Sequence, residues 1–246
     1  MNALARSCAR PGRWLALSAG LLLACLLGGC ASGPGANPAD PMEPLNRRVN
    51  AFNEGLDRIA IKPAAEAYQA VTPRPVRTGV SNFFNNLQDV WSFFNNVLQF
   101  KGQAAADSFT RVGVNTFIGL GGLLDVAGEM NIERHTEDFG QTLGRWGVPS
   151  GPYLVLPVLG PSTVRDTAAL AVDMKGDVLS HAEPVSTRNS LAALRVLDTR
   201  ARLLRAGNVL DEAALDKYSF ARDAYLQRRR ALILDGEEPP EPERKP

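Results

Sequence analysis

Ser81–Phe100 reads SNFFNNLQDVWSFFNNVLQF, and its spacing decides the fold. Phe83, Leu87, Val90, Trp91, Phe94, Val97 and Leu98 recur at helical intervals and form one face, widened by Phe84. Asn85, Gln88, Asp89, Ser92, Asn95, Asn96 and Gln99 form the opposite one. A solvated helix face usually carries Lys, Glu and Arg. Here the polar face has a single charge, Asp89, and six of the chain's aromatic side chains lie within these residues. Two readings stay open. The helix belongs to a core, with its amides meeting neighbouring helices, or it lies in lipid, with aromatics in acyl chains and amides on protein or a wet cavity. Both can hold along its length.

Outward from this segment the periodicity stays helical. Upstream, Leu45, Val49, Phe52, Leu56 and Ile59 make one apolar stripe. Pro44 suits a first helical turn, and Pro63 is expected to stop the helix. A short helix over 64–71 precedes the break Thr72-Pro73-Arg74-Pro75. Downstream, 103–118 reads as helix and ends at Gly119-Leu120-Gly121-Gly122. That cluster lacks the third glycine, the Lys-Ser or Lys-Thr and the preceding strand of a phosphate loop, so it reads as a close-packing turn. GVPSGPYLVLPVLGP (147–161) is apolar and bounded by turn residues, either a buried loop or a hairpin dipping toward lipid. In lipid its backbone would have to be buried against protein. Thr163-Val164-Arg165-Asp166 resembles a capping box opening a helix to about Met174. A helix over 187–206 places Leu191, Leu194, Leu197, Ala201 and Leu204 on one side, with Gly207 as its stop. Asp211 is then expected to cap a last helix ending near Gly236. Arg228-Arg229-Arg230 suits anionic headgroups or, as the favoured reading, a solvated face. No convincing set of strands emerges. The expectation is an all-α single domain, a bundle of amphipathic helices with Gly/Pro-rich hairpin segments.

The N-terminus sets the address. Arg6, Arg10 and Arg13 precede an apolar run from Trp14, which closes on Leu27-Gly28-Gly29-Cys30. Basic region, apolar region, small residues: this is the order of a secretory signal. The run is shorter than the ~20 residues a spanning helix needs. A cysteine directly after the small residues resembles a bacterial lipobox, with cleavage before Cys30; an ordinary signal beside a chance cysteine is the alternative. Diacylglycerol and N-acyl groups on Cys30 would hold the protein firmly, since one acyl chain binds only marginally and each buried methylene adds about 0.8 kcal/mol. Ala31 follows in place of Asp, which in enterobacteria-like sorting points to the outer membrane. The chain therefore divides into a signal (1–29), a lipidated tether (30–41), a helical domain (42–235) and a Pro- and charge-rich tail (236–246) expected to be disordered. Residues 31–41 reach at most about 40 Å, so the body stays near the lipid surface.

Composition excludes several functions. The signal takes three of 27 basic residues, leaving 24 against 26 acidic ones, which argues against a nucleic-acid partner. Cys8 and Cys25 leave with the signal and Cys30 is acylated, so the folded body has no disulfide, thiol nucleophile or thiolate metal site. The longest uncharged stretch after the signal, 146–164, holds Pro149, Pro152, Pro157 and Pro161 and cannot form an ordinary spanning helix. His135 and His181 are the two histidines. His135 sits in ERHTED (133–138) without a second histidine at i+4, so metal binding is weakly supported. No G-x-S-x-G elbow occurs. Glu137-Asp138 and Arg165-Asp166 read as ion pairs or caps rather than a catalytic pair. No catalytic or metal residue is assigned.

A resemblance covers residues 40 to about 173. DPMEPLNR (40–47), NFFNNL (82–87), NNVLQ (95–99) and NTFIGLGGLLDVA (115–127) are similar to the opening blocks of the MlaA (VacJ) lipoproteins. EDFGQTLG (137–144), WGV (146–148), GPYLVLP (151–157), GPST (160–163) and Arg165-Asp166 follow in the family's order. Met42 departs from the usual leucine without changing polarity. The resemblance implies a helical ring embedded in the inner leaflet of the outer membrane of a Gram-negative bacterium, on the periplasmic side. Its amphipathic channel removes mislaid phospholipid from the outer leaflet, beside a trimeric porin, and passes it to a soluble periplasmic carrier. It implies no enzyme and no cofactor beyond the acyl groups. The family match assigns no individual channel residues. Polarity and glycine content instead nominate Asn85, Asn95, Asn96, Gln99, Trp91 and Phe94 on the 81–100 helix, and Tyr153 in the 147–161 segment, as candidates for shaping the lipid path. Two rivals are a lipoprotein hydrolase using His135 with nearby carboxylates, and a structural lipoprotein that braces porins or envelope without moving lipid.

Overall fold

The computed structural model describes residues 37–213 and 215–236, with backbone alone over 208–213. Cys30, the signal, most of the tether and residues 237–246 lie outside the described residues. Among those described, the chain is helical apart from one two-stranded hairpin.

The first helix, α1 (Glu43–Leu56), starts on Pro44 and passes through a π-helical turn (Asp57–Ile61) into α2 (Lys62–Val71). Pro63 does not stop it. The widened turn loosens the ladder just where proline lacks a donor and its ring would strike the carbonyl four residues back. After Thr72-Pro73, α3 (Arg74–Leu98) begins two turns earlier than Ser81, because Pro75 is tolerated in a first turn. A tight turn at Phe100 (φ 59°) reverses the chain into α4 (Gly102–Phe117), which packs along α3. The 119–122 turn follows, with φ of +71° at Gly121 and +90° at Gly122. A Cβ at Gly122 would meet Asn86 at 2.8 Å, so the turn packs closely on α3.

Short α5 (Val126–Glu129) and α6 (Phe139–Arg145) come next, the latter capped by Asp138, whose Oδ1 accepts from the Gln141 amide at 2.8 Å. Residues 147–161 resolve into a hairpin, β1 (Tyr153–Leu156) against antiparallel β2 (Gly160–Thr163), in register Tyr153↔Thr163 to Leu156↔Gly160. The expectation of no strands is corrected here. Four residues per strand are too few for alternation to show, and the pairing is local across a three-residue turn. Thr163 caps α7 (Val164–Gly176), as its spacing to Asp166 predicted.

A single 3₁₀ turn (Val178–His181) leads to α8 (Val185–Ala213), which runs through Gly207 rather than stopping there. Glycine in a helix interior costs only about 1 kcal/mol, so it terminates nothing by itself. The cap of α9 (Lys217–Ile233) is Asp216, not Asp211, and its carboxylate accepts from the Tyr218 and Ser219 amides.

Apolar cores are small. Ala65, Ala201 and Leu204 close the α2–α8 seam. Tyr153, Val155 and Tyr218 fill the space under the hairpin. Polar and charged residues outnumber apolar ones among the buried side chains, while Phe94, Phe100, Phe109, Phe117 and Ile118 point outward. No helix among the described residues is long and apolar enough to cross a membrane.

Candidate functional site

The buried face of α3 is its polar face. Asp89, 1% exposed, holds Arg134 Nε at 2.6 Å and Arg111 Nε at 3.3 Å. Arg111 also donates to Asp125 Oδ1 at 2.8 Å and to the Ile132 carbonyl at 2.7 Å. Nearly two turns further, the Thr142 hydroxyl donates to Asn95 Oδ1 at 2.8 Å. The same hydroxyl accepts from Gln99 Nε2, which reaches Glu137 Oε2 as well. Asn96 Nδ2 donates to the Ser92 carbonyl and to Ser108 Oγ on α4. Amide donors in a dry interior must find acceptors, and these do. Asn96 Oδ1 and Gln99 Oε1 are buried without a partner.

The middle of the same helix faces a cavity of about 850 Å³. Phe84, Asn85, Gln88 and Trp91 supply one wall. Asn53 and Asp57 supply another from α1 and the π turn, and Val196, Arg200 and Leu203 a third from α8. The hairpin turn, Val158 and Leu159, projects into it. Two smaller hollows share these borders, one toward α9 through Asp57, Arg200 and Leu203, the other through Asp138, Leu159 and Asp173. The wall thus alternates apolar surface with charged groups in pairs. Arg200 grips Asp57 with two bonds of 2.7 Å, and Arg195 holds Asp177 at 2.6 Å. Trp91 Nε1 donates to Asp173 Oδ1 at 2.8 Å, as does the Phe139 amide. Burial pushes the Asp173 carboxyl above its usual range despite those two donors.

The hairpin is clamped from α1. Asn53 Nδ2 donates to the Leu156 carbonyl at 2.9 Å, and the Val158 amide donates to Asn53 Oδ1 at 2.7 Å. Val158 holds φ +68°, a costly conformation for a β-branched residue, and the clamp fixes it. Deeper, Asn46 donates to Asp40 and to the Tyr153 carbonyl and accepts from the Val155 amide. The Tyr218 hydroxyl donates to the Asp40 carboxylate, tying α9 to the segment that precedes α1. Arg229, inside the run expected to be solvated, bridges Asp138 and Asp166, while Arg228 and Arg230 are exposed. Burial raises the Asp166 carboxyl, and Arg229, Tyr225 and Arg165 more than reverse it, leaving it below the usual range.

The nominated residues therefore divide. Asn85 and Trp91 line the cavity. Phe94 lies half-exposed on the outer face, its ring 5.2 Å from Phe93. Asn95, Asn96 and Gln99 sit in the buried lattice between α3, α4 and α6, where neighbouring helices take up their amides. Tyr153 is 1% exposed and stacks edge-on against Tyr218 and Tyr225. Sequence reasoning missed Asn53, Asp57, Asp173 and Arg200. Each is an isolated polar residue in an ordinary amphipathic pattern, and their approach is entirely tertiary. Glu137-Asp138 and Arg165-Asp166 serve as ion pairs and a cap. His135 Nε2 lies 3.1 Å from Asp107. Among the described residues no group of three His, Cys, Asp or Glu is placed to hold a metal ion.

A family model described as MlaA lipoprotein matches residues 38–232. The chain belongs to the MlaA lipoprotein family. It is 38% identical over 234 residues to the "Intermembrane phospholipid transport system lipoprotein MlaA" of Escherichia coli (strain K12), covering 92% of each chain. The Haemophilus influenzae protein of the same name is 32% identical over 226 residues, covering 88% of this chain and 89% of that one. A solved structure described under "Structural basis for maintenance of bacterial outer membrane lipid asymmetry" superposes with TM-score 0.70 at 34% identity. That match covers 79% of this chain and 98% of the other. The helical MlaA architecture expected from the resemblance is the one observed.

Proposed function

We propose that this MlaA family member carries mislocalised phospholipid out of the outer leaflet through its central cavity and hands it to a soluble periplasmic carrier, maintaining lipid asymmetry. The observation that carries this reading is the inversion of α3, with amides inside, Phe94 and the neighbouring aromatics outside, and an amphipathic cavity along its middle. A phospholipid needs both surfaces at once, polar groups for its headgroup and an apolar side for its tails. An outward rim of Phe94, Phe100, Phe109, Phe117 and Ile118 suits acyl chains, where polar groups between helices act as glue. On this reading the body sits in the inner leaflet, held by the acyl groups on Cys30 and beside a trimeric porin; no helix among the described residues is both long and apolar enough to cross a membrane. Transport on this reading needs no bond made or broken.

The test is outer-leaflet phospholipid in a strain lacking the gene, with and without its restoration, read by a headgroup label that cannot enter the cell. A rise reversed by restoration is expected. No change, in cells with an intact outer membrane and no redundant route, would refute transport and leave a bracing role.

A further inference from the structure

On the far side of α8 from the hairpin lies a second hollow, of about 890 Å³, that the transport reading does not use. Arg74, Arg77, Thr78 and Ser81 share one face of α3 at i, i+3, i+4 and i+7, and Arg202 and Arg205 project from α8. Four guanidinium groups thus line it against two carboxylates, Glu66 and Asp198. Asp198 is already engaged, since Ser81 Oγ donates to it at 2.8 and 3.0 Å and Arg202 Nε lies 3.3 Å away. Among the described residues, Arg74, Arg77 and Arg205 have no carboxylate within ion-pair distance. Arg77 Nε is buried and has no hydrogen-bond partner. That nitrogen is enclosed by protein; what faces the hollow is the excess of guanidinium groups over carboxylates, with Arg74 and Arg205 exposed and Arg77 partly so.

We propose that this hollow is a binding site for a phosphate group, held by Arg77 and Arg205 with Arg74 and Arg202 beside them. Guanidinium forks match the tetrahedral oxygens of phosphate in bidentate fashion, and the N-terminal end of α3 adds the positive end of its dipole. The floor is the buried strip of Ala201 and Leu204. Arg202 also borders the central cavity. The phosphate has two possible sources, a phospholipid headgroup or free phosphate. The lipid source rests on the transport reading; the site itself does not.

The experiment titrates purified, lipidated protein in dodecylmaltoside micelles with inorganic phosphate and, separately, with dihexanoyl phosphatidylglycerol, at constant chloride. At least one should bind saturably, and Arg77→Gln and Arg205→Gln should each weaken it about tenfold or more. Arg77→Lys should recover part of the loss, and Asn85→Leu in the central cavity should leave phosphate binding unchanged. Tighter binding of the lipid than of phosphate assigns the headgroup; equal affinity assigns the phosphate alone. Circular dichroism and the unfolding midpoint check that each variant folds. Should Arg77→Gln not fold, exposed Arg205→Gln decides the matter. Absence of saturable binding of either probe, or affinities unchanged in both arginine variants, overturns the proposal whatever the cell assay of lipid asymmetry shows.

Discussion

Asp89→Asn is the sharpest perturbation of the polar interior. The Asp89 side chain is 2% exposed and serves two guanidinium groups, Arg111 at 4% and Arg134 at 26% exposure. Removing one partner of a buried ion pair typically costs about 3–5 kcal/mol, because the remaining charge is left uncompensated. Here the lower end applies. Arg111 keeps Asp125 and the Ile132 carbonyl, and Arg134 keeps the Asn85 carbonyl at 3.1 Å. The expected loss is therefore about 3 kcal/mol. For a chain of this size each kcal/mol lowers the midpoint by roughly 2–4 °C, so the thermal transition should fall by roughly 6–12 °C. The assay is thermal unfolding of the detergent-solubilised protein, followed by far-ultraviolet circular dichroism. A double variant, Asp89→Leu with Arg111→Met, should lose less than the two single losses combined, by about 2 kcal/mol. A loss under about 1 kcal/mol for Asp89→Asn would contradict a dry, compensated charge cluster. It would mean that water reaches the carboxylate and that the interior between α3, α4 and α6 is not dry.

Two further outcomes follow from the cavity wall. Asn53→Ala removes both bonds that clamp the hairpin turn, so amide hydrogen exchange at Val158 should accelerate at least about tenfold while global stability falls by no more than about 2 kcal/mol; unchanged protection would show that the turn holds without α1. Asp173→Asn keeps an acceptor for Trp91 Nε1 and the Phe139 amide, so at pH 7 stability should change by less than about 1 kcal/mol, whereas Asp173→Ala orphans two donors and should cost about 2–4 kcal/mol. Because burial raises the folded-state pKa of Asp173, the folded state binds that proton more tightly than the unfolded chain does. Its contribution is greatest below the unfolded carboxylate value and is lost as pH rises through the folded one. Urea unfolding at several values between about pH 4 and 7 should therefore show the wild type gaining on Asp173→Asn toward acid, and a gap independent of pH would contradict it.

Much of this protein is written locally. Helical periodicity from Leu45 to Ile59 and through 81–100, the Thr163 cap and the 119–122 turn are all decided within a few residues of themselves, so the chain announces them. The family blocks likewise lie in contiguous stretches, which is why family membership is legible from the chain alone. Signals for ending helices were less dependable. Pro63 and Gly207 weaken a helix by amounts that neighbouring packing or a π turn overrides, and Asp216 displaced Asp211 as a cap because capping depends on where the chain bends.

The aromatic face and the almost uncharged amide face of α3 can be read off its residue spacing. Which of them turns inward cannot, since amphipathicity defines two surfaces without saying which medium meets each. Asn95, Asn96 and Gln99 lie inside because Thr142, Glu137 and Ser108, far along the chain or on the next helix, supply their partners. The cavity is likewise an assembly of single residues from α1, α3, α7, α8 and the hairpin turn. No spacing encodes it, because its energy lies in contacts between segments more than 100 residues apart, such as Asn53 with Val158 and Asp57 with Arg200.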